Sequence, residues 1–323
     1  MIRGKYGDLI DSEIWAFVDR TNQWYPPDAA SLPIERQRSI YDAMCREFHG
    51  GHPAGVRTRD GSIDAPGRAI PLRHYEVEGE TAAAAILYYH GGGFVLGGLD
   101  SHDDICAELC AGTGYDVISV GYRLAPEHRH PASFDDACFA FHQAAAGSLP
   151  IVLCGESAGG TLAAAVAHAT RDHGRAAIGQ VLIYPSLGGD FGRGSYAEHA
   201  EAPMLSVRDL RCYRDIHAGS GHCGDDPRLA PLRGKDHSGL PPTVVFTAQC
   251  DPLSSDGEDY RDRIIAAGGE AWWHEEAGLV HSYLRARHTA RRAREGFARI
   301  VAAVAALGRG ECHTAGSAFV ARP

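Results

Sequence analysis

The chain has 323 residues, 44% of them hydrophobic, enough to fill the core of a single-sheet α/β enzyme. Its 31 basic and 41 acidic residues leave a formal net charge of −10, which repels nucleic-acid phosphates and anionic headgroups, so neither is expected as a general partner. No apolar run approaches the roughly 20 residues of a membrane span, and a start broken by Lys5, Asp8, Asp11 and Glu13 does not read as a secretory signal.

In chain order, two amphipathic helices come first: Ile10, Ile14, Phe17 and Val18 recur at helical spacing, as do Ile34, Tyr41, Cys45 and Phe48. Residues 1–50 are therefore expected to form a helical cap ahead of a core over residues 51–307. Apolar runs then alternate with amphipathic stretches, the βαβ pattern of a parallel sheet covered on both faces. Strands are predicted at 83–89, 116–122, 151–154, 180–184, 243–247 and 271–274. Helices are predicted at 133–146, 158–173, 256–267 and from about 283 to 307, with Gly174, Gly268 and Gly269 as stops. Ser101 reads as the N-cap of a further helix whose first turn holds Asp103 and Asp104, which gives that carboxylate pair a capping role. Cys106 and Cys110 share one face of it and are expected to pack. Residues 188–226, rich in Gly, charge and His, interrupt the strand rhythm and read as a cap insertion. Residues 308–323 lack periodicity and read as a loose tail. Arg285, Arg287, Arg291, Arg292, Arg294 and Arg299 crowd the last helix and read as its solvated face. His217, His222 and Cys223 read as solvated loop residues, and no metal is expected. The odd count of nine cysteines, without paired spacing, suggests reduced thiols and a cytoplasmic location.

Gly155-Glu156-Ser157-Ala158-Gly159 falls between a short apolar strand and an Ala-rich helix. A serine at so sharp a turn takes a strained backbone conformation, and the small flanking residues let neighbouring elements close in. Its hydroxyl then stands clear above a helix N-terminus whose partial positive charge favours an oxyanion. The alternative for Ser157 is a helix N-cap in a Gly-rich turn. His90-Gly91-Gly92-Gly93 directly follows a strand and offers bare N–H groups to a developing negative charge; Gly91 and Gly92, with the amide of Ala158, are the oxyanion candidates. No Lys-Ser/Thr follows, which argues against a phosphate loop, and His90 is expected to hold this loop by hydrogen bonding.

A serine hydroxyl needs a base within hydrogen-bond reach. The chain order Ser, acid, His points to Asp251 in the loop after strand 243–247, and to His281 in the loop after the last strand. Pro252 restricts Asp251 to an extended conformation. Asp256 competes for the acid role but sits at a helix start and caps equally well. His274 on a strand and His288 inside a helix are poorly placed. Phe94, Leu205, Leu253, Leu279 and Val280 are the candidate pocket wall.

His90-Gly-Gly-Gly-Phe94, Tyr122-Arg-Leu-Ala-Pro-Glu127, Gly155-Glu-Ser-Ala-Gly-Gly160, Asp251-Pro-Leu253 and the His281 loop together resemble the hormone-sensitive-lipase family of esterases. This family includes bacterial acetyl esterases and arylacetamide-deacetylase-like enzymes, and the resemblance covers residues 83–307. It implies an α/β-hydrolase fold: eight mostly parallel strands, helices on both faces and an N-terminal helical cap. It implies hydrolysis of short acyl esters without a cofactor, a triad of Ser157, Asp251 and His281, oxyanion donors at Gly91, Gly92 and Ala158, and a homodimer. Two positions depart from the pattern: Gly121 where an acidic residue is frequent, and Ser282-Tyr283 where Gly-Phe is usual. Both bear on the pocket wall or loop rigidity and leave the triad untouched.

The expected function is a serine carboxylesterase acting on small-molecule short- to medium-chain acyl esters through an acyl-enzyme. An amide deacylase, lactonase or carbamate hydrolase would use the same machinery. A ligand-binding protein of the same fold would tolerate loss of the base, whereas here every triad position is filled. A haloalkane or epoxide hydrolase would carry Asp in place of Ser157. Because the base must be neutral, activity is expected to rise with pH through the imidazole range near about 6.5.

Overall fold

Apolar alternation along each central strand decides how the sheet is covered. In the computed structural model, which describes residues 2–219, 225–314 and 317–321, the chain opens with α1 (Ile2–Tyr6), α2 (Ser12–Trp24) and α3 (Ile34–Phe48). The core follows as β1 (Val56–Ala65), β2 (Arg68–Val77), β3 (Ala85–Tyr89), α4 (Asp103–Thr113), β4 (Asp116–Val120), α5 (Ala132–Ala146), β5 (Ile151–Glu156), α6 (Ala158–Thr170) and β6 (Gly179–Ile183). After an insertion holding α7 (Gly194–Glu198) and α8 (Val207–Ala218) come β7 (Thr243–Cys250), α9 (Ser254–Ala266), β8 (Ala271–Val280) and α10 (Arg291–Gly308). The tail pairs β9 (Glu311–Thr314) with β10 (Ser317–Ala321).

Eight strands form one sheet in the order β1-β2-β4-β3-β5-β6-β7-β8. Only the β1–β2 and β2–β4 pairings are antiparallel. On β3, Ile86 and Tyr88 point into the layer that also buries Ile105 and Leu109 of α4 and Ile300 and Val304 of α10. Ala85, Leu87 and Tyr89 point into the opposite layer, with Phe141 of α5, Leu162 and Val166 of α6, and Ile264 of α9. Both faces are thus covered by helices, as the near-continuous apolar strands require. The chain leaves β3 for β4 on one side and then crosses back to β5 on the other. This makes a switch point at the carboxyl ends of β3 and β5, where the loops diverge and leave a crevice.

The β1–β2 hairpin was not predicted, and for β1 the sequence carries no signal. Its ten-residue pairing runs through Arg57, Arg59, Asp60 and Gly61, most of β1 is exposed on both faces, and a strand without an apolar face has no period-2 signature. The last predicted strand is longer than expected, ending at Val280 rather than His274. The predicted 283–307 helix is divided into a 3-10 turn at Tyr283–Ala286 and α10. Ser101 is not the N-cap of α4. It sits in a preceding 3-10 turn, its hydroxyl held by Gly98 and by His102 Nδ1 at 2.7 Å. Cys106 and Cys110 are fully buried on α4.

The arginine-rich stretch is not a solvated face throughout. Arg285 and Arg287 are buried. The guanidinium of Arg287 donates to Asp104 at 2.5 Å and to both carboxylate oxygens of Glu108 at 2.7 and 3.0 Å, so these α4 carboxylates fasten the turn that leads into α10. Removing one member of a buried, hydrogen-bonded ion cluster leaves the others uncompensated. Arg287→Ala is expected to lose about 3–5 kcal/mol in urea denaturation, whereas Arg291→Ala, which breaks only an exposed pair with Glu295, leaves the midpoint near the parental value.

Candidate active site

Ser157 lies between β5 and α6 with φ 52° and ψ −119°, a strained conformation for a residue with a side chain. Two glycines permit it. A Cβ at Gly159 would collide with the carbonyl oxygen of Tyr89 at the end of β3, and one at Gly155 with the carbonyl of Gly159. The turn is anchored by the Ser157 amide donating to Ile183 O at 2.9 Å. No side-chain capping bond is made by Ser157, so its hydroxyl is free of the N-cap alternative.

Across the crevice, His281 follows β8 directly, its Nε2 3.0 Å from Ser157 Oγ and its Nδ1 2.7 Å from Asp251 Oδ2. Asp251, immediately after β7, is fully buried, and its other oxygen accepts from the Leu253 amide at 2.9 Å. The ends of β5, β7 and β8 that supply these side chains lie on the same carboxyl edge of the sheet, with β6 between β5 and β7, so parallel pairing brings residues 124 and 30 positions apart into one line. An Nδ1–H donated to the carboxylate leaves Nε2 as the acceptor facing the hydroxyl, the tautomer that base catalysis needs.

The competing Asp256 is turned away. It lies inside α9, fully buried, and accepts from Leu187 N at 2.6 Å and Tyr196 Oη at 2.9 Å, tying down the start of the insertion. Burial pushes its carboxyl up to about 7. His288 sits in the turn before α10, paired with Glu108, and His274 is half-exposed on β8.

The glycine loop is placed somewhat differently from expectation. Gly92, Gly93 and Ala158 line the cavity at Ser157. Gly91 is buried behind it, where an added Cβ would lie 2.6 Å from Glu156 Oε1. His90 is fully buried. Its ring stacks on Tyr122 at 4.2 Å, its Nδ1 approaches Gly91 O at 2.7 Å, and its carbonyl accepts from Tyr122 Oη at 2.6 Å. Burial lowers its pKa to about 3, so it is neutral and clamps the loop.

The cavity encloses about 540 Å³. Phe94 and Leu205 line it as expected. Leu253, Leu279 and Val280 do not: all three are fully buried, Leu253 packed on Tyr196 and Leu205, the other two in the sheet core because β8 continues through them. Their places are taken by Trp15, Val18, Tyr25 and Met44 from the N-terminal helices and by Met204, Leu210 and Tyr213 from the insertion. The two segments join across the cavity through a 2.7 Å hydrogen bond between the Tyr25 and Tyr213 hydroxyls. Helical periodicity marks these residues as apolar, yet nothing in it says which of them faces a ligand. His217, expected in solvent, ends α8, is buried, and stacks on Phe94 at 4.0 Å. His222 and Cys223 lie outside the described residues.

A family profile described as alpha/beta hydrolase fold matches residues 86–285. Among curated proteins the chain is 39% identical to esterase LipI of Mycobacterium tuberculosis over 245 residues, covering 72% of this chain and 76% of that protein. It is 34% identical to an ethyl acetate hydrolase of Pseudomonas putida over 290 residues, covering 86% and 89%. Among solved structures, a hyperthermophilic esterase from Pyrobaculum calidifontis superimposes with a TM-score of 0.84 at 28% identity, covering 93% of this chain and 99% of that one.

The raised carboxyl of Asp256 carries a pH signature. The folded protein keeps a proton there up to about pH 7, whereas the unfolded chain releases it near 3.8. The folded state therefore binds more protons in this window, and the contribution falls as pH rises through it. Asp256→Asn has no such proton to lose. Its urea midpoint is expected to gain on the parental one as pH goes from 5 to 8; a gap that does not change with pH would contradict the assignment.

Proposed function

Because the chain belongs to the α/β-hydrolase family and is a carboxylic ester hydrolase, we propose that Ser157 is its nucleophile, His281 its general base and Asp251 the acid that orients the base. The observation that carries this reading is the unbroken line from Asp251 Oδ2 through the imidazole to Ser157 Oγ, at 2.7 and 3.0 Å. His281 takes the Ser157 proton as Oγ attacks the ester carbonyl. Asp251 stabilises the imidazolium that results. The tetrahedral oxyanion forms above the N-terminus of α6, with the amides of Gly92, Gly93 and Ala158 as its donors. Gly93 replaces Gly91 in that set, on the ground that Gly92 and Gly93 line the cavity while Gly91 is turned toward Glu156. The C–O bond to the alcohol then breaks, with the proton from His281 going to the leaving oxygen. Water, deprotonated by the same imidazole, attacks the acyl-enzyme, and the acid leaves as Ser157 recovers its proton.

The substrate class follows from the wall. A largely apolar cavity of about 540 Å³ suits short- to medium-chain acyl esters better than a long chain at a lipid surface. The N-terminal helices and the 188–226 insertion act as a two-part cap over the catalytic core. In the same reading the protein works in the cytoplasm, which the unpaired state of Cys45, Cys106, Cys110, Cys138, Cys154, Cys212 and Cys250 supports, and the homodimer implied by the family resemblance is tested by its sedimentation mass.

Ser157→Ala is expected to cut kcat by at least about 10⁴-fold and to abolish labelling by a fluorophosphonate, read by mass spectrometry at Ser157. Retained turnover would end the proposal. Across p-nitrophenyl esters from acetate to palmitate, kcat/KM is expected to peak at short or medium chains; a maximum at palmitate would refute the size reading.

A further inference from the structure

Directly behind Ser157 lies a group of buried charges that the ester chemistry does not use. Glu156, the residue before the nucleophile, is 4% exposed, Arg285 5%, and His102 between them is fully buried. One carboxylate oxygen of Glu156 contacts His102 Nε2, and the other accepts from the Tyr184 hydroxyl. The fork of Arg285 donates to Ser101 O at 3.0 Å and to Tyr41 Oη at 3.0 Å, and one nitrogen lies 3.2 Å from His102 Nε2.

Each contact ends on a segment that carries part of the site. Arg285 follows His281 by four residues, within the 3-10 turn that continues from it. The backbone of Gly91 lies so close over Glu156 that a Cβ there would be 2.6 Å from the carboxylate. The Tyr184 ring packs against the His281 ring at 4.8 Å between centroids, while its hydroxyl is held by Glu156. Tyr41 belongs to α3 and lines the cavity. Glycine loop, nucleophile turn, base and N-terminal helices therefore meet on one ion cluster.

Burial by itself would raise the Glu156 carboxyl, but His102, Arg285 and the Tyr184 hydroxyl outweigh it and hold it at about 2, so it is ionised. Burial depresses His102, leaving Arg285 as the permanent counter-cation. The other titratable groups facing Glu156 are Tyr41, Tyr88, Tyr122, Tyr184, Tyr283, Cys45 and Cys154, all pushed upward by burial, and His90, pushed down by burial to about 3, so all are neutral in an assay range. Around His281 stand Asp251, Ser157 and Tyr184.

We propose that Glu156 and Arg285 are a positioning pair that holds the glycine loop and the His281 loop at one fixed separation across Ser157. The pair touches no reacting atom in this scheme; it acts through Gly91, Tyr184 and the turn after His281. The inference rests on the triad reading above. A merely structural ion pair would affect stability and leave kcat alone, whereas this pair must lower kcat with KM unchanged, because it sets the distance between the glycine loop and the His281 loop.

Glu156→Gln is expected to lower kcat by about 10- to 100-fold, the scale of a misplaced reacting group, with KM near the parental value. Arg285→Lys keeps the charge but loses the planar fork, so kcat should fall here too. Fluorophosphonate labelling rates at Ser157 are measured on the same proteins and should fall in parallel. Parental kcat in both variants, or an effect confined to KM, would overturn the pair. Should Glu156→Gln fail to fold, Arg285→Lys decides: reduced kcat supports the proposal and parental kcat overturns it. A parent that is not labelled at Ser157 would defeat the triad reading itself; a labelled parent with variants labelled at its rate would defeat only the pair.

Discussion

The site depends on a contact between two backbones that no side chain could occupy. Gly159, in the first turn of α6, lies against the carbonyl of Tyr89 at the end of β3, and Gly155 lies against Gly159. With those three segments pressed together, the chain must reverse within one residue, and Ser157 takes a positive φ as the consequence. The strain is of order 1–3 kcal/mol and is borne by the surrounding core, since β5 is buried throughout and α6 is buried from Ala158 to Ala167. The return is geometric. The hydroxyl projects from the sheet edge with a helix N-terminus beneath it and a glycine loop beside it.

Parallel pairing then does the rest of the assembly. All the strand ends that matter, those of β3, β5, β7 and β8, emerge on one edge of the sheet. The glycine loop, Ser157, Asp251 and His281 are each within a residue or two of such an end, so their separation in sequence has no bearing on their separation in space. The cavity above them is built from two segments far apart in the chain, joined by the Tyr25–Tyr213 hydroxyl pair and by the Tyr213 ring, which lies where a Cβ at Gly93 would come within 2.8 Å.

The molecule buries several ionisable groups around this scaffold. Arg287 ties α4 to the chain that leads into α10, Asp256 holds the root of the insertion, and Glu156 with Arg285 lies under the site. Such groups weaken or cancel their own contribution to stability through desolvation, but each is hydrogen-bonded at fixed angles to a loop that would otherwise be free. Here they fall where a segment has to be held at a definite place: the start of the insertion, the base loop and the glycine loop. Low-dielectric surroundings make each of these bonds strong once it is satisfied.

The sequence alone determined the alternating α/β order, the buried strands and the three side chains that meet at the crevice, because these rest on local rules: apolar periodicity, glycine at turns, and residue type at a strand end. It was silent on β1, whose exposed faces have no period of their own, and on β2, whose buried Ile70, Leu72 and Tyr75 alternate only briefly, and it took β8 to end at His274 because charged residues there hid the strand. The misplacements have one physical origin. Whether Leu279 lines a pocket or fills a core, whether Arg285 and Arg287 face water or a carboxylate, and which glycine of the loop turns to the cavity all depend on what packs against them from elsewhere in the chain. Burial is a property of the neighbours a residue acquires, and only the tertiary structure supplies the neighbours.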